Sequence, residues 1–321
     1  MLALYYREQG SLRHTIVEGA QKDLPENTIW IDLLNPLRSD ELAVERMLGV
    51  EVPSREEMQE IEASSRLYVE GKALIMTLPI VNRAGTDEPE TTAVTFILAG
   101  NCLVTLRYAD PTPFSQFIQR MGRQPGIVSG EQVLIGLLEH VADRSADILE
   151  TATNDLDNLS RNIFRASEAP KGTIDFRDVL RRIGHIDELA SRARDSLLNF
   201  NRLLLFLTAQ ADMKKENKAR VKTMIDDVKS IDEHAIFLLG KVSFLLDATL
   251  GLINIEQNNI IKIFSVAAVT FLPPTLVASA YGMNFKYMPE LDWLLGYPLA
   301  VVLMVLSAAI PFWYFRRKKW M

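Results

Sequence analysis

Near the end of the chain, Gly282, Met283 and Asn284 stand between two long runs that carry no charge. Asn284 offers a neutral amide, whose carbonyl accepts hydrogen bonds and whose NH2 donates two. A carboxylate would hold a divalent cation tightly and slow its escape. A ring of amides instead meets the water shell of the ion and lets it leave, as conduction requires. The distinction matters most for a small divalent ion that sheds water reluctantly and keeps a near-octahedral shell. One amide cannot ring an ion, so this chemistry asks for several copies around an axis. Gly282 permits backbone that other residues resist, which suits a helix break at this point.

A stripe of residues leads up to the triplet. Asn258, Ile261, Ser265, Ala268, Leu272, Thr275 and Ser279 recur at steps of three and four, so they share one helix face. Most are small or polar. Two uses fit such a face: a packing seam between membrane helices, or the lining of a water-filled path. A single hairpin cannot enclose a path, but several copies of one helix can. Ile263, Phe264, Val266, Val269, Phe271 and Leu276 occupy the other faces and suit lipid or helix contact. Pro273-Pro274 removes two backbone donors inside the same segment. Beyond the triplet, Glu290 and Asp292 either concentrate cations at a mouth or are ordinary solvated loop charges.

The elements that must carry these residues are membrane spans. Ile263–Phe285 and Trp293–Phe315 each run 23 residues without a charge, and roughly 20 apolar residues cross a hydrocarbon core of about 30 Å. Spans at about 263–283 and 293–315, joined by a short link, make a helical hairpin. Lys262 flanks the first span, and Arg316, Arg317, Lys318 and Lys319 follow the second. This basic bias places both termini in the cytoplasm and the link outside. Trp293, Tyr297, Trp313, Tyr314 and Trp320 suit the interfaces as aromatic anchors.

Upstream, a seam of Val221, Ile225, Val228, Ile231, Ala235, Leu238, Val242, Leu245, Thr249 and Leu252 steps by three and four without proline. It predicts one helix from about Ala219 straight into the first span, with a coiled-coil-like edge that needs neighbours. Two further long helices are predicted over Glu131–Phe164 and Asp175–Ala209. Before them, Thr28–Leu34 and Gly71–Val81 read as strands, and Thr91–Tyr108 as two strands around an Ala-Gly-Asn turn. Ser54 with Glu57 forms a capping box, and Ser39 is the expected cap of the helix before it. The division is an α+β cytosolic domain over 1–125, a helical and stalk region over 126–262, and a transmembrane hairpin with a basic tail over 263–321.

Composition narrows the function. The net charge is −6 despite the basic tail, which argues against nucleic acid as a partner. The lone Cys102 allows no internal disulfide and suits a reducing compartment. "MLALYYREQG" lacks the pattern of a cleavable signal. No phosphate loop, HExxH or defensible Ser/His/Asp pattern is present, so no enzyme is expected and no organic cofactor.

"YGMNF" followed by "MPEL", the wider stretch Ile253–Pro298 and the ending "YFRRKKW" are very similar to the CorA family of magnesium channels, in its proteobacterial form. The resemblance implies a funnel-shaped homopentamer in the bacterial inner membrane, whose first spans line the pore. It implies uptake of Mg2+, with Co2+ and often Ni2+ also passing, and a filter at Gly282, Met283 and Asn284. It implies a pore lining at Asn258, Ile261, Ala268, Leu272 and Thr275, and a hydrophobic constriction near Ile261 and Phe264. Phe and Leu here replace the Leu and Met of the thermophilic pattern. Asp247 falls about where the family carries an acidic intracellular Mg2+ contact, and Asp226 and Asp227 lie nearby. The partners are then copies of the chain, lipid and divalent cations, with Mg2+ both cargo and regulator. The nearest rival is a zinc or other transition-metal transporter on the same scaffold. It would favour His or Cys ligands, and none of the four histidines (14, 140, 185, 234) lies in or beside the spans.

Overall fold

The computed structural model describes residues 1–8, 11–17, 25, 27–60, 62–86, 88–122, 127–166, 175–318 and 320. It divides into two compact units, Met1–Leu246 and Asp247–Met321.

The first unit is built on strands β1 (Leu2–Glu8), β2 (Ser11–Val17), β3 (Thr28–Leu34), β4 (Leu67–Glu70), β5 (Ala73–Asn82), β6 (Glu90–Ala99) and β7 (Cys102–Arg107). They form one sheet in the order β2-β1-β3-β7-β6-β5-β4. Only β3 and β7 pair in parallel; every other neighbour is antiparallel. Short helices α1 (Arg38–Leu48), α2 (Arg55–Met58) and α3 (Ala63–Arg66) interrupt the strands, and α4 (Thr112–Met121) follows them. Long helices α5 (Gly130–Ala166) and α6 (Phe176–Gln210) come next.

The middle of the sheet is covered on both faces, which explains why β3, β5 and β7 are buried along nearly their whole length. On one face Cys102, Val104 and Leu106 of β7 join Ile31, Leu33, Val44, Met58 and Ile75 in a single core. Burial there pushes the Cys102 thiol up to about 12. On the other face β7 presents Leu103, Thr105 and Arg107, because side chains alternate across a strand. Arg107 and Asp32 are both buried there and form a two-point ion pair at 3.0 and 2.7 Å. The Thr105 hydroxyl donates to Asp32 at 2.7 Å, and the Trp30 indole donates to Thr105 at 2.9 Å. Arg107 also stacks 4.6 Å above the Phe114 ring and reaches Asp110. Every charge in this layer is thus compensated, the condition on which buried charges are tolerated.

Two glycines are demanded by geometry. Gly100 turns β6 into β7 at φ +60°. Gly130 opens α5 against the strand itself: a Cβ there would lie 2.4 Å from the Leu103 backbone nitrogen.

Helix α7 (Lys215–Tyr281) is continuous, as the long seam predicted, though it starts four residues earlier. Along its part in the first unit Val221, Val228, Ala235, Leu238, Val242 and Leu245 are buried. Arg220 pairs with Glu139 of α5 at 2.9 and 2.7 Å, Lys241 pairs with Asp157, and Asn217 donates to Glu131 at 2.7 Å. The seam is therefore used within the chain, against α5.

The second unit holds the last part of α7, a 3-10 turn at Pro289–Asp292 and helix α8 (Gly296–Arg317). Both helices are long and apolar enough to cross a membrane.

Several local expectations are corrected. Ser39 does not cap α1; the helix starts at Arg38, and Asp40 accepts from the Leu37 backbone N–H at 3.1 Å instead. The Ser54–Glu57 capping box forms at 3.3 and 2.7 Å, but the helix it opens is only four residues long. With Met58 as its one buried anchor, that stretch lacks the apolar face that sustains longer helices. The second span begins at Gly296 rather than Trp293, because the 3-10 turn leaves Trp293 extended. Strands β1, β2 and β4 were not foreseen.

Candidate ion-conducting site

The candidate site follows one face of α7 to the end of that helix. Within the second unit, burial falls on the opposite side: Val266 on α7 and Gly296 and Ala300 on α8 are buried. Thr270, Pro273, Pro274 and Val277 are half-buried. At about 100° per residue, the stripe from Asn258 to Ser279 is centred roughly 140° round the helix from that face. Apart from Ser265, which is half-buried, the stripe therefore lies away from the buried side of this chain's own hairpin. Asn258, Ala268 and Thr275 are exposed, as are Ile261 (60%), Phe264 (69%) and Leu272 (68%). The Thr275 hydroxyl donates to the Phe271 carbonyl at 2.7 Å.

Pro273 and Pro274 sit inside α7 without ending it. They remove the donors that the carbonyls of Val269 and Thr270, four residues earlier, would otherwise meet. The Thr270 hydroxyl at this level is buried with no hydrogen-bond partner. Thr270 escaped the sequence reading; the signal was a hydroxyl residue one turn before a double proline.

At the end of α7 the helix closes with the Gly282 N–H on the Ala278 carbonyl at 2.9 Å and the Met283 N–H on Ala280 at 3.4 Å. Gly282 is not among the glycines with positive φ, so the expected special backbone is absent. What glycine supplies is clearance: a Cβ would lie 3.1 Å from the Ala278 carbonyl oxygen. Met283 and Asn284 are exposed. Among the described residues the Asn284 amide makes no hydrogen bond, so its donors and acceptor are open to solvent or to a ligand. Asp292 is exposed, while the Glu290 side chain lies outside the described residues.

The acidic candidates on α7, Asp226, Asp227 and Asp247, are all exposed. Among the described residues no three His, Cys, Asp or Glu side chains converge as a metal site. His140 Nδ1–H donates to the Gly136 carbonyl (2.8 Å) and His234 Nε2 shares a hydrogen bond with the Thr153 hydroxyl (3.1 Å), so both are engaged within the fold.

A family model described as CorA-like Mg2+ transporter protein matches residues 25–317. The magnesium transport protein CorA of Escherichia coli (strain K12) is 35% identical across 100% of both chains. This chain belongs to the CorA family. The Salmonella typhimurium (strain LT2) magnesium transport protein CorA is 34% identical over the same extent. Among solved structures, the complete CorA magnesium transporter from Methanocaldococcus jannaschii matches with a TM-score of 0.78 at 19% identity, covering 100% of this chain and 99% of that one. The ZntB cytoplasmic domain from Vibrio parahaemolyticus covers 78% of this chain at a TM-score of 0.60 and 12% identity. Both likenesses are likenesses of fold. The CorA architecture of a sheet domain, long helices and two C-terminal apolar helices is thus the architecture of this chain.

Proposed function

We propose that this protein is a divalent-cation channel that admits Mg2+, with Co2+ and Ni2+ as further substrates, across the bacterial inner membrane. Copies of α7 surround an axis, five by family resemblance, with Asn258, Ile261, Ala268, Leu272 and Thr275 toward the path. The observation that carries this reading is the exposed stripe, turned away from the chain's own α8 and ending at an unpartnered Asn284 amide. In a monomer these groups would face lipid, where unsatisfied polar groups are costly. Around an axis they face water.

Asn284 meets the hydrated ion through its amide, with Gly282 and Met283 completing the filter. Neutral acceptors bind the outer shell weakly enough for release. Glu290 and Asp292 raise the cation concentration at the mouth. Ile261 and Phe264 provide the hydrophobic closure, whose dewetting blocks ions. The sheet domain (1–125) and the stalk (126–262) form the cytoplasmic regulator of the hairpin (263–321). Both termini lie inside, on the side of Lys262 and the Arg316–Lys319 cluster. Intracellular Mg2+ bridging Asp247, Asp226 and Asp227 between neighbouring copies would stabilise the closed state, a differential affinity that shifts the population.

The test is uptake into proteoliposomes. Mg2+ flux should be blocked by hexaamminecobalt, a mimic of hydrated magnesium, and competed by Co2+ more strongly than by Zn2+. Preferred Zn2+ uptake would transfer the assignment to the zinc reading.

A further inference from the structure

Outside the conducting site, one cleft gathers two guanidinium groups that form no ion pair among the described residues. It lies in the first unit, at the end of the sheet where β6 outruns β7. Pairing between these strands starts at Val94 opposite Arg107, whereas Glu90–Ala93 pair only with β5. Alternate residues of that stretch direct backbone N–H and C=O groups toward the side where β7 has ended. The resulting cleft, of about 350 Å3, is lined by Arg55, Gln59, Arg66, Thr91, Thr92 and Tyr108, over a floor that includes the buried Met58.

The charges are unbalanced. Arg55 extends over the Tyr108 ring at 5.0 Å. Arg66 is half-buried, donating to the Glu60 carbonyl at 2.5 Å and to the Asn199 side chain at 3.2 Å. Among the described residues neither guanidinium has a carboxylate within ion-pair distance. Burial alone lowers the Arg66 pKa, the mark of a cation losing water without gaining an anion. The carboxylate on the cleft wall, Glu90, is engaged elsewhere, with Arg83 at 3.4 Å and Asn82 at 3.1 Å. The Tyr108 hydroxyl donates to Glu41 at 3.1 Å and only braces the wall. The open groups are therefore the Arg55 guanidinium fork, the remaining Nη2 of Arg66, one amide and two hydroxyls.

We infer that this cleft is a binding site for a small phosphorylated anion. Guanidinium forks match phosphate oxygens in a two-point geometry that ammonium groups cannot reproduce. Hydroxyl and amide donors, with the unpaired edge of β6, supply further hydrogen bonds to the remaining oxygens. The volume accommodates a phosphoryl group with a modest organic body, such as a mononucleotide. This inference stands apart from the channel assignment, since none of its residues touches α7 or α8 chemistry.

The experiment is calorimetric titration of the full-length protein in detergent, in magnesium-free buffer, with inorganic phosphate, pyrophosphate and AMP, and chloride as the control anion. Saturable binding by at least one phosphorylated probe is expected, weakened about tenfold or more by Arg55→Gln, whose exposed side chain leaves the core intact. Arg66→Gln should act alike, and Arg161→Gln, exposed on α5 outside the cleft, should not. Tighter AMP than phosphate would identify a nucleotide-sized ligand; equal affinities would identify the phosphoryl group as the whole epitope. Absence of saturable binding by all three probes at millimolar concentration overturns the site, as does binding that Arg55→Gln leaves unchanged.

Discussion

The two units treat polar side chains in opposite ways. In the sheet layers of Met1–Leu246, buried polar groups are answered on the spot: Asp32 by Arg107 and Thr105, the Thr77 hydroxyl by Thr95 at 2.8 Å, the Ser196 hydroxyl by the Pro79 carbonyl at 2.6 Å; between α6 and α7, Arg194 and Asp232 meet only as an ion pair at 3.7 Å. In Asp247–Met321, the polar face of α7 and the Asn284 amide are left open, and apolar surface is left open beside them. The first unit is a finished fold. The second, under the proposed function, is complete only with water, lipid and other copies. Residues that act within a chain and residues that act between chains are separated along the sequence.

That contrast can be broken most sharply at its extremes. Asn284→Ala should cut Mg2+ flux by about an order of magnitude or more while leaving assembly and thermal stability of the first unit unchanged. Flux measured beside size-exclusion profiles decides it, and a loss of assembly would show Asn284 to be structural. Conversely, Arg107→Ala strands Asp32 in the interior and should destabilise the first unit by about 3–5 kcal/mol. Denaturant unfolding checks this, and a change below about 1 kcal/mol would mean that water reaches the pair. Gly130→Ala should cost a further order of about 1–3 kcal/mol, because the methyl enters the β7 backbone.

A smaller effect is pH-dependent. Burial, then the nearby Asp32 charge, pushes the Tyr5 hydroxyl up from 10.0 to about 12. A group whose folded pKa is raised contributes stability that is complete below the unfolded value and is lost as pH climbs through the folded one. The wild type should therefore lose stability between about pH 10 and 12, and Tyr5→Phe should flatten that decline in pH-dependent melting curves. An unchanged slope would assign the loss to other groups, of which Tyr108, also raised to about 12, is the first to replace.

Much of this arrangement was legible in the residues. The seam from Val221 to Leu245 and the absence of proline before Pro273 specified one uninterrupted α7, since a period near 3.5 survives any tertiary context that buries it. The strands Thr28–Leu34 and Cys102–Arg107 stood out by β-branched content, and the hairpin between β6 and β7 by its glycine. The stripe on α7 was visible, but not that it avoids α8, because rotation about the helix axis depends on the partner's packing. The Asp32–Arg107 pair went unnoticed although "TIWIDLL" carries its signal: a charge in the middle of a buried strand needs a partner, and only the parallel register of β3 with β7 says which. Strand β2 was hidden by mixed polarity, as expected of an edge that water reaches, whereas the apolar, buried start of β1 was simply missed. The cleft of Arg55 and Arg66 depends on where β7 stops relative to β6, a register invisible in one dimension.

The burial of Cys102 has a practical side. Its thiol sits in the closed core and is barely ionised at any working pH, and thiolate is the form that alkylates. Maleimide probes should ignore it in the folded protein. New cysteines placed one at a time along the exposed face of α7 can thus be labelled on the native background, with no prior substitution, and used to time the path of solvent and ions.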